Sequence, residues 1–306
     1  MPKLVAITGA TGFIGSVLIK KLIQDNWAVR ALTRTARFSD DESIQWIVGD
    51  LDNLSALHRL VDSVPYVIHC AATVRGNTFQ EFAQTNIEGT KNVLRAVSKQ
   101  QQVPRFLLIS SLAARQHELS WYARSKYLSE QVLTEQSEKL LWTIFRPTAV
   151  YGPGDKELKP LFQAMHRGLL PVVGKINNRF GLIHVHDLVA AIQAWLESEK
   201  AVQGIFELDD GISGGYSYQS LITLAQQIWD RPVRGVRIPN LLIRNVAFAN
   251  LWLARILRYS AMLTPGKVNE LQHPDWVCDN TKIMNAFPAW QPRILLRDVL
   301  SETLTT

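Results

Sequence analysis

Residues Thr8-Gly9-Ala10-Thr11-Gly12-Phe13-Ile14-Gly15 follow directly on the apolar run Leu4–Ile7 and open into a helical pattern reaching about Asn26. A strand that turns into a helix around a bound phosphate needs glycine at three places. Gly9 permits the tight turn, Gly12 lets the backbone approach a pyrophosphate, and Gly15 lets the helix pack closely on the strand. The N–H groups at the helix start, backed by the helix dipole, then receive the dianion. The spacing alone is a weak signal; the strand before it and the helix after it supply the context. Gly9, Thr11, Gly12, Phe13, Ile14 and Gly15 are therefore the candidate dinucleotide contacts.

The first 150 residues alternate strand and helix patterns with short connections. Apolar, β-rich runs stand at Leu4–Ile7, Ala28–Leu32, Ile44–Val48, Tyr66–Cys70, Phe106–Ser110 and Trp142–Phe145. Helical patterns such as Phe79–Lys99 and Tyr122–Glu138 lie between them. Continuous apolar strands separated by helices predict a parallel sheet covered on both faces, with right-handed crossovers. The fold class is α/β: a Rossmann-type doubly wound parallel sheet, with function at the carboxyl ends of its strands. After Arg146-Pro147 the regularity breaks, at the turn cluster Gly152-Pro153-Gly154-Asp155 and a loop from Gly174 to Gly181. A strand is expected at Leu182–Val185, a helix from Asp187 through Trp195, and a strand at Ile205–Leu208. From Tyr218 onward the pattern reads as mostly helical with loops. The expected division is a dinucleotide-binding domain over residues 1–150, rejoined by a segment near 182–210, and a smaller, discontinuous substrate lobe over 151–306.

With 306 residues, 47% of them hydrophobic, the chain can fill one large core and a smaller one. Its two cysteines, Cys70 and Cys278, supply neither a disulfide framework nor a metal cluster, which points to a reducing compartment. A strand begins at once, so no signal peptide is expected, and no run of about 18 apolar residues could span a bilayer. A cytoplasmic protein, soluble or peripheral to the membrane, is the expectation. The net charge of +6 is uneven: from Arg231 to Val268 there are six arginines, Lys267 and no acid, a local +7 that leaves −1 elsewhere. That concentration argues against a nucleic-acid-binding protein and for a local preference for anionic groups.

The second strand pattern ends Leu32-Thr33-Arg34. An NAD-selective site places a carboxylate here to accept from the ribose 2′-hydroxyl, whereas Thr33 is uncharged and Arg34 and Arg37 lie just beyond. Guanidinium groups match a 2′-phosphate, so NADP(H) is favoured over NAD(H), although two solvated loop arginines would read the same way. Asp50 and Leu51 close the third strand. The carboxylate could accept from an adenine amino group with Leu51 packed on the ring, or it could cap the following turn. Tyr122 and Lys126 stand four apart on one helix face, just past a strand ending Ser110-Ser111. An ammonium beside a phenol lowers the phenol's pKa toward neutrality and makes it a usable acid or base, while a serine hydroxyl can hold a substrate oxygen. His184 and His186 alternate like a strand without a nearby third ligand, so hydrogen bonding rather than metal binding is expected. Cys70 reads as a small buried hydrophobe rather than a nucleophile.

These residues together resemble the extended branch of the short-chain dehydrogenase/reductase superfamily, the NAD(P)-dependent epimerase/dehydratase family. The resemblance is also carried by Gly49-Asp50-Leu51, His69-Cys70-Ala71-Ala72, Asn86-Ile87-Glu88-Gly89-Thr90, Arg146-Pro147, Val150-Tyr151-Gly152-Pro153-Gly154 and Leu182-Ile183-His184-Val185-His186-Asp187-Leu188. It fades after about residue 200. It implies that Tyr122 is the catalytic acid/base, that Lys126 binds the nicotinamide ribose and tunes it, and that Ser111 polarises the substrate carbonyl. Ala71 and Ala72 would line the cofactor, Pro147 and Val150 would pack near the nicotinamide, and Asn86 would play a supporting role. Helices four and five commonly pair across dimers in this family, which implies a homodimer.

Departures narrow the activity. Leu112 and Ala113 stand where sugar-nucleotide dehydratases of the family carry an acidic pair, and the place of His186 is usually acidic. Ten residues separate Ser111 from Tyr122, a shorter interval than in sugar-nucleotide epimerases. The steroid-dehydrogenase-like and dihydroflavonol-reductase-like members fit better. The expected activity is NADP(H)-dependent interconversion of a secondary alcohol and a ketone on a small-molecule substrate. A redox-neutral epimerase with trapped NAD and a non-catalytic NAD(P)-binding scaffold are the alternatives. The apolar segment from Asn240 to Arg258, whose only charges are Arg244, Arg255 and Arg258, has three readings: a helix packed on the core, a wall for an apolar substrate, or a contact with an anionic membrane surface.

Overall fold

The computed structural model describes residues 3–39, 41–135 and 140–301. The first half runs β1 (Leu4–Thr8), α1 (Phe13–Gln24), β2 (Ala28–Thr33), β3 (Ile44–Val48), α2 (Leu54–Val61), β4 (Tyr66–His69), α3 (Phe79–Ala83), α4 (Gly89–Val97), β5 (Arg105–Ile109), α5 (Trp121–Thr134) and β6 (Trp142–Pro147). The second half runs β7 (Ala149–Tyr151), α6 (Lys159–His166), β8 (Leu169–Val173), β9 (Arg179–Phe180), β10 (Leu182–His184), α7 (Val185–Glu197), β11 (Gly204–Leu208), β12 (Tyr216–Ser217), α8 (Tyr218–Trp229), β13 (Arg234–Ile238), α9 (Asn240–Leu257), α10 (Pro265–Gln272), β14 (Asp275–Trp276) and α11 (Thr281–Ala286).

Seven parallel strands form one sheet in the order β11-β6-β5-β4-β1-β2-β3. The order reverses between β1 and β4, so a crevice opens at their carboxyl ends, where this topology places its ligands. One face of the sheet buries Leu18, Leu22, Leu188, Ile192 and Trp195 of α1 and α7. The other buries Leu57, Leu60, Val93 and Leu133 of α2, α4 and α5. The chain comes back to the sheet late: β11 pairs with β6, and Phe287 and Trp290, following α11, enter the same core as α1 and α7. Arg105 fastens the far end of α7 by donating to the carbonyls of Trp195 (2.9 Å) and Ser198 (2.8 Å), with its guanidinium over the Tyr66 and Trp195 rings. Residues between these returns build the lobe, whose core includes Phe162, Met165, Leu170, Tyr218 and Leu221.

Three readings are corrected. The helix expected over Phe79–Lys99 is broken by a π turn at Gln84–Glu88, which separates α3 from α4 and carries Asn86. The helix expected at Tyr122–Glu138 begins at Trp121, and residues 136–139 lie outside the described ones. The tail is not simply helical: β13 pairs with β8, while β12 and β14 flank β9. β13 is nearly all exposed and shows no inward–outward alternation, so its strand state comes from pairing rather than from hydrophobic period.

Candidate active site

At the end of β1, Gly9 takes φ +70, and a β-carbon there would lie 2.5 Å from the Ala71 nitrogen. A β-carbon on Gly15 would lie 2.2 Å from the Gly9 carbonyl, so α1 rests directly on the loop. Gly12 caps α1 with no side-chain hydrogen bond, and no acid stands in the first turn. The helix therefore offers backbone N–H groups to an incoming anion, and this cradle fits a dinucleotide pyrophosphate. Ala71 lies beside it, its N–H donating to Thr8 Oγ1 (3.3 Å), and Ile14 reaches from α1 into the cleft described below. Thr11 is exposed in the loop, Phe13 is half-buried at the helix start, and Ala72 is exposed at the end of β4.

At the rim, Thr33 is buried, donates to the Thr35 carbonyl and carries no charge, while Arg34 is exposed. Arg37 is exposed as well and lies over the Trp46 ring at 5.4 Å. Asp50 Oδ1 accepts from the N–H groups of Asp52 and Asn53, both 3.0 Å, so this exposed carboxylate does shape its turn. Leu51 packs on the core beneath α2 and α4.

Ser111 and Tyr122 meet where β5 ends and α5 begins, and Lys126 lies one turn further along α5. Ser120 caps α5 by accepting from Ala123 N–H, which fixes the turn carrying Tyr122. Ser111 accepts from Ala113 N–H (3.2 Å), and its hydroxyl is hydrogen-bonded to the Tyr122 phenol. Lys126 is 2% exposed and donates to the Ile109 carbonyl at 2.8 Å. Burial lowers its ammonium to about 8, against the opposing pull of Glu130 and Cys70. The phenol is not lowered, contrary to the expectation from sequence. Burial raises it, the Ser111 hydrogen bond and Lys267 lower it in part, and Glu270 and Glu157 add to the rise. The proton stays on Tyr122 at neutral pH.

The π turn explains Asn86. Its Oδ1 accepts from Thr73 N–H (2.7 Å), and its Nδ2 donates to the Thr73 carbonyl (3.1 Å) and to Ser125 Oγ (2.8 Å). Ser125 in turn donates to the Tyr122 carbonyl (2.8 Å), so Asn86 ties the loop after β4 to the first turn of α5. Such bulges often mark functional positions.

Several participants carry no readable signal in the sequence. Lys267 and Glu270 of α10 pair at 2.8 Å, and Glu270 also accepts from Ser120 in a short hydrogen bond. Burial lowers the Lys267 ammonium, but Glu270 outweighs it and the net shift is upward. Both line the cleft with Tyr122. In the sequence their i,i+3 spacing is the one hint, and Lys267 reads as part of the basic segment. His69 is buried between Thr8 Oγ1 (2.5 Å) and Thr90 Oγ1 (3.1 Å), and burial lowers it to about 3, so it is a neutral latch across β1, β4 and α4. Thr148 Oγ1 is buried and finds no partner among the described residues, yet Thr148 lines the cleft beside Pro147 and Val150. Beneath the site, Glu130 of α5 is fully buried and takes Arg146 Nη2 at 2.5 Å and Nε at 3.0 Å, together with a short bond from Ser110.

Two further residues near the site sit in buried surroundings. His184 Nδ1 accepts from His186 N–H (3.3 Å) at the start of α7, and burial lowers the His184 ring to about 4. Burial pushes the Cys70 thiol up to about 12, which leaves it unreactive as a nucleophile.

The cleft above these groups measures about 1610 Å³. Ser111 and Tyr122 line it together with apolar residues such as Val74, Phe82, Phe162 and Leu221 and with the charged Arg124, Arg179, Lys267 and Glu270. Phe248, Trp252 and Arg255 of α9 close one side.

Glycine cradle, strand order and Ser–Tyr–Lys constellation define a Rossmann-fold, extended-type dehydrogenase/reductase architecture. The family model for the NAD dependent epimerase/dehydratase family matches residues 5–208, and the chain belongs to that family. The chain is 34% identical over 290 residues to the ceramide reductase of Caulobacter vibrioides, covering 93% of this chain and 89% of that protein. It is 27% identical over 262 residues to the UDP-glucose 4-epimerase of Vibrio cholerae, covering 76% and 79%. Among solved structures, MoeE5 in complex with UDP-glucuronic acid and NAD superimposes with a TM-score of 0.75 at 20% identity, covering 99% of this chain and 97% of that one. That likeness concerns the fold.

Proposed function

We propose that the protein is an NADP(H)-dependent oxidoreductase that interconverts a secondary alcohol and a ketone on a long-chain, largely apolar substrate. The observation that carries this reading is the wide cleft, lined by long apolar stretches and by the hydrogen-bonded pair Ser111 and Tyr122. The 34% identity to a ceramide reductase supports it independently. A carbonyl oxygen seated between the two hydroxyls accepts from both, which stabilises the charge that develops there. A nicotinamide dinucleotide held by the Gly9–Gly15 cradle would supply the hydride. Tyr122 then gives its proton to the oxygen, and Lys126, one turn further along α5 and bonded to the Ile109 carbonyl, would turn toward the ring to stabilise the phenolate that is left. Lys267 offers a second cation at the same end of the cleft, suited to a hydroxyl or amide oxygen close to the reacting carbon. A nucleotide-sugar epimerase is the second reading, since Arg124, Arg179 and Lys267 of the cleft could meet a phosphate-bearing substrate; the apolar stretches of the lining and the likeness to a ceramide reductase favour the reductase. The deciding assay follows reduced-nicotinamide absorbance with long-chain β-keto amides and, separately, epimerisation of UDP-glucose. Epimerisation without ketone reduction sinks the proposal.

Cofactor choice gives a second expected result. Thr33 brings no carboxylate to repel a 2′-phosphate, and exposed Arg34 can pair with one. NADPH is expected to bind more tightly than NADH by about 1.5–3 kcal/mol, roughly 10- to 150-fold. Calorimetric titration with both cofactors measures this, and equal affinities would remove Arg34 from the site.

The pH profile gives a third. Lys126 carries its charge below about pH 8 and loses it above, so ketone reduction is expected to fall as pH climbs past about 8. In Lys126→Arg, whose side chain stays charged, that limb should vanish even if the rate is lower. A limb unchanged in the variant would assign the titration to another group.

A further inference from the structure

Helix α9 is held by a narrow stripe: Ile243, Ala247, Leu251 and Ala254 are its buried residues. At 100° per residue these fall on one side of the helix, and the opposite side carries Leu241, Leu242, Phe248, Trp252, Leu253 and Ile256 with Asn245 as its one polar residue. Leu241 is 74% exposed, Trp252 63% and Leu257 67%, and Leu242, Leu253 and Ile256 are exposed with them. Isolated exposed apolar residues are ordinary, but a contiguous face of this size marks a contact. Arg244 and Arg255 sit at its flank, bonded to the Asn269 side chain and the Asn77 carbonyl, and Arg258 ends the helix. Arg234 and Arg237 project from the exposed strand β13, and no acid occurs between Arg231 and Val268.

We propose that α9 docks on an anionic lipid bilayer, its outer face sunk into the interfacial layer with the arginines at headgroup level, so that the substrate cleft opens at the membrane surface. Apolar face and cationic rim are the two requirements of an interfacial helix. Among the described residues no helix is long and apolar enough to cross a membrane, so α9 lies on the surface rather than spanning it. The position of the helix adds to this. Phe248, Leu251, Trp252 and Arg255 line the cleft, so α9 is both the outer face and a wall of the substrate space. A lipid-like molecule would leave the bilayer and reach Tyr122 along one helix. A second copy of the chain is a poorer occupant, because a two-fold contact through α9 would bring two acid-free, arginine-rich segments together. The docking proposal is independent of the reductase reading, since vesicle binding is observed without turnover.

The test is co-sedimentation of the whole chain with phosphatidylglycerol-containing vesicles and with pure phosphatidylcholine vesicles, at low and high salt. Binding to the anionic vesicles at low salt, weakened by salt, is expected. Leu242→Glu/Leu253→Glu, at exposed positions outside the cleft, should lower vesicle affinity by at least about 10-fold while turnover of a short, water-soluble ketone is kept. Arg234→Gln/Arg237→Gln leaves the apolar face intact and should weaken binding and flatten its salt dependence. Absence of binding at low salt, equal binding to neutral vesicles, or unaltered binding by the glutamate variant overturns the proposal. So does analytical ultracentrifugation in which the glutamate variant turns a dimer into a monomer, since the face would then belong to a second copy.

Discussion

Tyr122→Phe is expected to lower carbonyl reduction by about 100- to 10,000-fold while leaving cofactor affinity nearly unchanged. The substitution removes one oxygen from the lining of the cleft. That oxygen is the hydrogen-bonding partner of Ser111, and burial keeps its proton in place at neutral pH. The ring itself packs against Phe82, with centroids 6.4 Å apart, and that contact survives in phenylalanine. Shape is therefore retained and only the proton is lost. The cofactor cradle at Gly9–Gly15 lies on β1 and α1 and does not use the phenol, so NADPH binding serves as the internal control. Steady-state kinetics with calorimetry on the same sample separates the two effects. Near-normal turnover in the variant would place the proton donor elsewhere.

Arg146→Met is expected to cost about 3–5 kcal/mol of folding stability, although Arg146 touches neither cofactor cradle nor cleft. Glu130 is fully buried, and Arg146 satisfies both of its oxygens. Without the guanidinium, the buried carboxylate keeps the Ser110 hydrogen bond and only the attraction of the Lys126 ammonium. The penalty is that of a stranded charge rather than the net worth of the pair. The double variant Glu130→Gln/Arg146→Met should therefore recover a large part of the loss. Urea unfolding of the single and double variants measures this. A double variant as unstable as the single one would mean that lost packing, not an unpaired charge, sets the cost.

How much could be read beforehand depended on whether a feature is local. The glycine loop, the six strands of the first half and the Tyr122/Lys126 spacing are local patterns, and each lies where the periodicity placed it, within a residue or two. The Asn86 π turn was missed because one extra residue per turn has no compositional mark inside a good helical sequence. β12, β13 and β14 were missed because short, exposed strands owe their state to partners: β13 follows β8 in register from Arg234 to Ile238. The polar end of the cleft was missed for the same reason on a larger scale. Ser120 and Glu270 are 150 residues apart, and only the fold brings α10 against the start of α5. The direction of the Tyr122 shift was misread because proximity to a lysine in sequence says nothing about where its ammonium points, and Lys126 points to Ile109.

The late return of β11 has a consequence for how the protein is made. Gly204–Leu208 completes the sheet edge against Thr143–Pro147, after the chain has built β7, α6, β8 and α7 in between. During synthesis β6 emerges with one ladder open, Phe145 and Ile144 unprotected, and stays so until the whole excursion is complete. Contacts of such sequence separation slow folding and lengthen exposure of the edge. The sheet built before β7 is therefore incomplete until β11 joins it. A chain ending before Gly204 would present an unpaired apolar strand to its neighbours.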